Sequence, residues 1–369
     1  MNTGILNLLR GKIPSYTRKS RHLELLLRYA DVTKLSNVMR AELARVRGDI
    51  VLRSKPYIYT VDTGNVCNLR CPLCPTGYHG LERRQSLMRL AEFEGIIDKI
   101  RPYAIEVIMH NWGEPFLNPD ILPMIRYAGK NRVGTTISSN LNLVNRTEKF
   151  LEEVVDSGLD HLTVSIDGTT QDVYETYRKG GILENVLSNL RYLLRYRNKV
   201  GSSTPKVEWQ FLVMKHNQHQ MDDARRMSEE IGVDRLRFTG AGLPFNELKN
   251  VSLSKQWMSD MPAYRGYAPD KMVERGYLYD ESCFYLYRAM TVNPEGGVAP
   301  CCVLYHSKFD FGNLMQSSLE DVWNSSHYRS SRALFSGKSY DGDLQTACHE
   351  CPLFKYHSKR STGVAAAAL

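Results

Sequence analysis

From residue 56 onward, short apolar runs alternate with longer stretches of helical period. The strand-like segments are Tyr57–Val61, Glu106–His110, Gly134–Ser138, His161–Ile166, Lys206–Met214 and Arg235–Phe238. Helical patterns fall between them at Met88–Ile100, Asp120–Asn131, Arg146–Ser157, Ile182–Arg197 and Gln218–Ile231. Strand and helix repeated in this order predict an α/β fold with a parallel sheet. In α/β barrels chemistry gathers at the carboxyl ends of the strands. Ahead of this body, residues 21–47 read as helical. Leu23, Leu26, Leu27 and Ala30 form one apolar stripe; Leu35, Val38, Met39, Leu43 and Val46 form a second, with Gly48 as the stop. Residues 1–20 read as a short amphipathic piece, Gly4 to Leu9, and then a basic loop with Pro14.

Composition changes this picture little; charge and cysteine change it more. The chain has 369 residues, 42% hydrophobic and 24% charged, which describes an ordinary globular protein with room for about two domains. No apolar run reaches the roughly 18 residues of a membrane span. Ile5-Leu6-Asn7-Leu8-Leu9 is too short for a signal peptide and is followed by Arg10 and Lys12. The net charge of +8 is unevenly placed: residues 1–55 hold 12 Lys and Arg against 4 Asp and Glu, and the remainder balances at 36 against 36. A neutral body argues against a nucleic-acid enzyme, whose positive charge belongs near its site. For the basic extension two readings stand: a cap for an anionic partner, membrane surface or substrate, or a solvated helical hairpin packed on the body. The eight cysteines fall in two groups, Cys67, Cys71 and Cys74, then Cys283, Cys301, Cys302, Cys348 and Cys351. Without a signal peptide they are expected in a reducing, cytoplasmic setting, as metal ligands rather than disulfides.

The first group, in Val66-Cys67-Asn68-Leu69-Arg70-Cys71-Pro72-Leu73-Cys74-Pro75, has C-x3-C-x2-C spacing directly after the first strand. Three thiolates hold three corners of a [4Fe–4S] cubane, which normally takes four, and leave one iron open. A zinc knuckle with His79 as fourth ligand is the alternative. The spacing resembles that of the radical S-adenosylmethionine (radical SAM) superfamily, with Leu73 where the family usually has an aromatic residue. The resemblance implies an open iron that chelates the amino and carboxylate groups of SAM. It also implies electron-driven cleavage of SAM to a 5′-deoxyadenosyl radical, and an external reductase, flavodoxin or ferredoxin as electron donor.

Further matches follow in family order. Gly113-Glu114-Pro115 resembles the GGE segment that orients the SAM amino group through a carbonyl and a carboxylate, with Trp112 replacing the first glycine. Ser138-Ser139-Asn140 is similar to the T-N-G turn. Ser165-Ile166-Asp167-Gly168, followed by Tyr174 and Arg178, resembles the S-x-D-G…Y…R segment. The resemblance implies Ser165 on the SAM ribose or carboxylate and Arg178 on the carboxylate, whose two oxygens a guanidinium fork matches. Asp167 beside Gly168 is equally readable as turn chemistry. Met214 and Asn217, after the fifth strand, fall where the family places ribose-binding groups, and Gly232 to Phe238 resembles its adenine-facing strand. Gly113, Glu114, Pro115, Ser139, Asn140, Ser165, Asp167, Arg178, Met214 and Asn217 are therefore the expected SAM-binding residues. The implied fold is a partial (β/α)6 TIM-type barrel over 56–240. It follows an N-terminal helical extension over 1–55 and precedes a connector over 241–282 that carries Trp257, Tyr264, Tyr267, Tyr277 and Tyr279.

The second cysteine group resembles the SPASM/twitch extension, a small cysteine-rich domain expected over 283–357. The resemblance includes Gly296-Gly297, Gly312-Asn313-Leu314, Leu319-Glu320-Asp321-Val322-Trp323 and Cys348-His349-Glu350-Cys351-Pro352. A hairpin at Glu295-Gly296-Gly297 would bring Cys283 and Cys301 together. The C-x5-C-x3-C continuation of a full SPASM domain is missing. One auxiliary [4Fe–4S] cluster on Cys283, Cys301, Cys348 and Cys351 is implied; a zinc site on the same residues is the alternative. Cys302 is left over, as an alternative ligand, a small buried hydrophobe, or a thiol that returns a hydrogen atom to substrate. Residues 358–369, with Ser361 to Leu369, read as a partly vector-derived tail.

Together these features predict a radical SAM oxidoreductase or epimerase. Its first-choice substrate is a small metabolite, with the carbinol carbon of a sugar or cyclitol oxidised or epimerised. A peptide maturase, an enzyme of lipid-linked substrates, and a non-enzymatic iron–sulfur or zinc protein are the alternatives.

Overall fold

The computed structural model describes residues 16–143, 147–248, 250–265, 283–342 and 344–351. Several features expected from sequence lie outside these residues: the Gly4 to Leu9 piece and Pro14, Arg146, Tyr267, Tyr277 and Tyr279, and everything from Pro352 through the tail.

The six predicted strands all form, with ends moved by one or two residues. They are β1 (Ile58–Val61), β2 (Glu106–Ile108), β3 (Gly134–Ser139), β4 (His161–Ser165), β5 (Lys206–Val213) and β6 (Arg235–Gly240). Each runs parallel to the next in chain order. The crossover helices are α3 (Leu90–Ile100), α4 (Ile121–Lys130), α5 (Glu148–Asp156), α6 (Gln171–Tyr177), α7 (Leu183–Lys199) and α8 (Met221–Ile231), after α1 (Tyr16–Tyr29) and α2 (Val32–Arg47). Helix α6 forms inside the Ser165–Arg178 motif segment, where no helical pattern is expected from the sequence. Each longer crossover helix buries one apolar stripe, such as Phe93, Ile96, Ile97 and Ile100 of α3, against strand residues such as Val107, Ile137, Leu162 and Trp209. This periodicity is why the helices were legible.

The sheet does not stop at six strands. Beyond α9 (Val251–Trp257), the C-terminal region supplies α10 (Tyr285–Arg288), β7 (Ala289–Val292), β8 (Val298–Ala299), α11 (Leu319–Trp323) and α12 (Ser326–Ser336). The strand order is β6-β5-β4-β3-β2-β1-β7-β8, with β7 parallel to β1 and β8 antiparallel to β7. The predicted hairpin is therefore real, and it extends the barrel sheet rather than standing apart. Gly296 turns it with φ +85°, and a Cβ there would sit 2.6 Å from Asn313 Oδ1. Leu314 N–H donates to the Gly296 carbonyl (2.8 Å) and Val298 N–H to the Gly312 carbonyl (2.8 Å), so the Gly-Asn-Leu segment runs alongside the hairpin. Trp323 is fully buried and donates Nε1–H to the Ser54 carbonyl (3.0 Å). Arg332 stacks on it at 4.4 Å and donates to the carbonyls of Leu286, Ile50 and Trp323. The C-terminal helices are thus fastened to the segment leading into β1. Among the described residues no helix is long and apolar enough to cross a membrane.

The helical hairpin α1–α2 packs across the amino-terminal ends of the strands, away from the barrel mouth. Glu106, the first residue of β2, is fully buried between Arg21 (2.9 Å) and His22 (2.5 Å) of α1, and accepts from the Thr136 hydroxyl (2.6 Å). Asp160, just before β4, accepts from Arg28 (2.7 Å), Tyr29 OH (2.9 Å) and Thr135 N–H (2.8 Å). Residues 16–47 of the extension thus pack on the body, at the end of the strands opposite the cysteine loop. Gly48 does end α2, in the left-handed region at φ +63°, and a Cβ there would lie 2.8 Å from the Ser336 Cβ. The apolar stripes read from sequence face inward only in part, however. Leu26, Ala30 and Val38 pack against Leu25, Tyr29 and Ile105, while Leu23, Leu27, Leu35, Met39, Leu43 and Val46 are exposed.

Burial opposes the charge on Glu106, but Arg21 and His22 outweigh it and hold its carboxyl far below the usual range. A depressed folded pKa gives stability that is full above the unfolded value of about 4.3 and is lost as pH falls through the folded value. Melting curves should therefore show Tm dropping as pH falls below about 4. Glu106→Gln should lower Tm at neutral pH by the several degrees that about 1–3 kcal/mol represents, and flatten the acid limb.

Candidate active site

Beyond β1 the chain is held by buried polar groups. The Asp62 carboxylate accepts from the N–H groups of Asn111 (3.1 Å) and Trp112 (3.2 Å), and the Thr63 hydroxyl donates to the Met109 carbonyl (3.2 Å). The loop from Cys67 to Cys74 then turns tightly, with Cys74 N–H on the Cys71 carbonyl (3.1 Å) and Tyr78 N–H on the Cys74 carbonyl (3.0 Å). Gly77 passes so close that a Cβ would lie 2.3 Å from the Cys71 oxygen. Cys71 is buried with Leu69, Leu73, Tyr177, Met214, Ala241 and Trp257, and Cys67 and Cys74 pack against the same cluster.

Donors face two of the sulfurs. Leu69 N–H (3.4 Å) and Asn140 Nδ2 (3.7 Å) point at Cys67 Sγ, and Arg178 Nη1 lies 3.9 Å from Cys71 Sγ. Burial pushes the Cys67 thiol up to about 12, with the Glu114 charge adding to it. Burial raises Cys71 to about 11, and Arg178 works against that rise. Binding to iron requires the thiolate form. A guanidinium and N–H donors beside these thiols offset part of the charge that ligation would bury, so the donor set fits an anionic cluster. Among the described residues no three His, Cys, Asp or Glu side chains converge as the donors of a single metal ion do.

The Gly113-Glu114-Pro115 segment lies against this loop. A Cβ on Gly113 would lie 1.9 Å from the Gly64 carbonyl oxygen, and Glu114 N–H donates to the Val66 carbonyl (2.8 Å). Glu114 is buried; its Oε1 accepts from the Ser139 hydroxyl (2.8 Å) and Phe116 N–H (3.1 Å), and its Oε2 from Asn140 N–H (2.7 Å). Burial lifts its pKa to about 7 against those bonds. Both oxygens thus tie the β2 loop to the end of β3, and the carboxylate serves as scaffold here. Pro115 opens the short 3-10 turn Pro115–Leu117 that Glu114 caps. Gly113→Ala should displace the cysteine loop and cut SAM cleavage by an order of magnitude or more. Assay of 5′-deoxyadenosine with Gly129→Ala as control, where an added Cβ meets nothing within 4 Å, checks this.

At the ends of β4 and β5, Ser165 is buried with its hydroxyl 3.4 Å from that of Ser138. Asp167 is fully buried; Oδ2 accepts from Arg178 Nε (2.6 Å) and Oδ1 from Leu212 N–H (2.7 Å). Burial works against the Arg178 charge, but Asp167 and Cys71 outweigh it and push its pKa well up. Asp167 is therefore the counter-ion of Arg178, beyond its place in a turn. Asn217 departs from expectation. Its amide is consumed by Met214 N–H (2.7 Å) and the carbonyls of Leu212 (2.8 Å) and Asp167 (3.0 Å), which makes it a buried brace rather than a group presented to a ribose. Met214 contributes its side chain to the apolar cluster around Cys71.

In the second group, Cys283, Cys301 and Cys348 are all raised by burial first. The charge of Cys348 and Cys351 bears on both Cys283 and Cys301, so the four expected ligands share one neighbourhood. Cys302 Sγ lies 3.4 Å from Tyr285 OH. With its amide turned, Asn111 donates to the Cys302 carbonyl (3.2 Å) and accepts from Trp112 Nε1 (2.9 Å).

Sequence reading missed the residues that join the two groups. The Trp112 carbonyl accepts from Thr76 of the cysteine loop, and its ring meets Tyr305 edge-on at 5.4 Å. Tyr305 OH is 3.2 Å from Tyr78 OH. His306 is buried against Asn246 (2.5 Å) and Glu82 (3.1 Å). Arg83 is buried in a fork on Asp310 (2.7 and 3.0 Å), also pairs with Glu295, and donates to the Tyr305 carbonyl (3.2 Å). A Cβ on Gly297 would fall 2.1 Å from the Asp310 carboxylate, so the second glycine of the hairpin makes room for this clamp. Trp112, in place of a family glycine, was the one available signal.

The chain carries a domain of the radical SAM superfamily, whose model matches residues 61–206. It also carries a SPASM iron–sulfur cluster-binding domain over residues 283–352. SAM, the SAM-binding [4Fe–4S] cluster and auxiliary iron–sulfur binding come with these two domains. The chain is similar to the tungsten-containing aldehyde ferredoxin oxidoreductase cofactor-modifying protein of Pyrococcus furiosus, 26% identical over 80% of this chain and 87% of that one. It is also similar to mycofactocin maturase MftC of Mycobacterium ulcerans, 23% identical over 73% and 74%. Its fold matches Streptococcus suis SuiB solved with S-adenosylmethionine, with a TM-score of 0.59 at 17% identity over 92% of this chain and 82% of that one.

Proposed function

We propose that this radical SAM enzyme is a maturase that removes hydrogen from a peptide, with a cofactor precursor as the nearest alternative substrate. The observation that carries the reading is the similarity to mycofactocin maturase MftC over 73% of this chain. When bound, the cofactors supply a 5′-deoxyadenosyl radical at the first site and an electron acceptor at the second. Cys67, Cys71 and Cys74 would hold the first cluster. Arg178, set by Asp167, would bring positive charge to SAM, and Ser139, Asn140 and Ser165 line the same strand ends. Cys283, Cys301, Cys348 and Cys351 would hold the second cluster. The relatives support modification of a larger substrate: MftC is named a maturase, and the Pyrococcus protein is named for modifying a cofactor. A sugar or cyclitol carbinol, first in the sequence-based order, therefore gives way to the peptide.

The test is anaerobic incubation of the reconstituted enzyme with SAM, dithionite and the peptide fraction of a host-cell extract. Loss of two hydrogens from a peptide, matched by 5′-deoxyadenosine, supports the reading; unchanged peptides with turnover only on low-mass extract overturn it. Cys348→Ala should keep SAM cleavage and lose the modified product. A redox-neutral epimerisation is kept as a second reading because of the Cys302 contact with Tyr285 (3.4 Å). Cys302→Ala should stop an epimerase and leave a dehydrogenating maturase active.

A further inference from the structure

The helix α2 is built inside out. Its inward face is largely polar, with only the small Ala41 and Ala44 buried among its apolar residues: Lys34 is buried and donates to the Arg132 carbonyl (2.5 Å), Asn37 pairs with both backbone groups of Lys55 (3.0 and 2.8 Å), and buried Arg45 pairs with Glu42 (3.1 Å). Its outward face is apolar. Val32 is 85% exposed and Met39 73%, and Leu35, Leu43 and Val46 continue the stripe at helical spacing. On α1, Leu23 and Leu27 are likewise exposed, at 55% and 78%, although Leu25 and Tyr29 on its other side are buried. An amphipathic helix normally buries such a stripe, and a contiguous exposed apolar surface marks an interaction site.

Charge selects what covers it. Residues 1–55 carry 12 basic against 4 acidic side chains while the remainder is balanced, and the two helices, residues 16–47, hold 8 against 3 of these. Exposed Arg40, Arg47 and Arg53 belong to this segment, and exposed Lys338 donates to the Arg47 carbonyl (2.8 Å). Two copies of such a face would repel each other, which argues against self-association. The stripe carries Val, Leu and Met but none of the Trp or Tyr anchors on which protein interfaces depend. A ridge of aliphatic side chains with a basic border is what an interfacial helix presents to anionic lipid.

We propose that the outer face of α2 docks the enzyme on an anionic membrane surface. Its inner face lies on the amino-terminal ends of the strands, so docking turns the barrel mouth toward water and leaves it open to a dissolved substrate. The lipid-substrate alternative is correspondingly disfavoured, since the bilayer is on the wrong side.

Flotation of the full-length holoenzyme tests this, using phosphatidylcholine vesicles with and without phosphatidylglycerol at low and high salt. Wild type should float with the anionic vesicles at low salt, and substantially less with phosphatidylcholine alone. Leu35→Glu/Met39→Glu should reduce the bound fraction by about tenfold or more, since each change removes an inserted aliphatic group. It should leave SAM cleavage and Tm unchanged, because both side chains face solvent. Arg40→Glu/Arg47→Glu should weaken binding and flatten its salt dependence. Wild type that stays with the soluble fraction overturns the proposal, as does equal flotation of Leu35→Glu/Met39→Glu. A dimer in light scattering that the double Glu variant dissolves would assign the ridge to a second copy and likewise overturn it.

Discussion

In Cys71→Ala we expect no 5′-deoxyadenosine above background from the reduced, reconstituted enzyme, and the same for Cys67→Ala and Cys74→Ala. With three thiolates for a four-iron core there is no ligand to spare. Cys71 is also the thiol that faces Arg178 Nη1 at 3.9 Å, and it packs in the apolar cluster that shields the loop. Residues around ligands typically cost 10–100-fold when changed, roughly, and Asn140→Ala, which removes an amide 3.7 Å from Cys67 Sγ, should fall in that range. Iron content, the EPR signal of the reduced protein and its shift on adding SAM should fail together in the cysteine variants. They should persist in part in Asn140→Ala. Retained SAM cleavage in Cys71→Ala would sink the assignment of the first site.

Arg83→Ala is expected to be the most destabilising of the single substitutions. The guanidinium side chain is 2% exposed and faces two carboxylates, Asp310 and Glu295. Burial opposes its charge, yet these partners push its pKa up, while burial raises that of Asp310 despite the pairing. Desolvation of the carboxylate thus exceeds what Arg83 returns to it, so the clamp is costly to break rather than strongly stabilising in itself. Removing one partner of a buried pair typically costs about 3–5 kcal/mol, because the other charge is stranded. Urea melts should show that loss. Arg83→Lys should recover part of it, since a single ammonium cannot reproduce the fork on Asp310. The variant should also lose auxiliary iron before it loses the SAM-dependent signal, because the clamp holds the hairpin to the loop beyond Cys74. A melt within about 1 kcal/mol of wild type would contradict the clamp.

Much of this molecule was legible from residues alone. The barrel strands came from short apolar runs and the crossover helices from apolar stripes, and the cysteine spacing led to the cofactors. What remained hidden depends on partners distant in sequence. Arg83 reads as one more charge on a basic loop until Asp310 and Glu295 are folded against it. Asn217 reads as a polar residue at a strand end; only the structure shows its amide spent on three backbone groups. The stripes of α1 and α2 misled in part, because periodicity reports that a helix has two faces, not which one is covered. That is decided by Glu106 and Asp160 under α1 and the carbonyls of Arg132 and Lys55 under α2, which demand polar partners from a helix that also carries an apolar face.

The pairing of β1 with β7 also sets an order of events during synthesis. Ile58 to Val61 line up with Ala289 to Val292, so one side of β1 has no neighbour until the second cysteine group has begun to emerge. A nascent chain holding only the first six strands presents that row of backbone groups as an open edge, the kind that recruits other chains. A product truncated before residue 289 should therefore aggregate rather than yield a free-standing barrel. The free side of β1 is covered only when residues through Val292 have left the ribosome, so the strand that leads into the first cysteine loop stays exposed until the chain has passed Cys283.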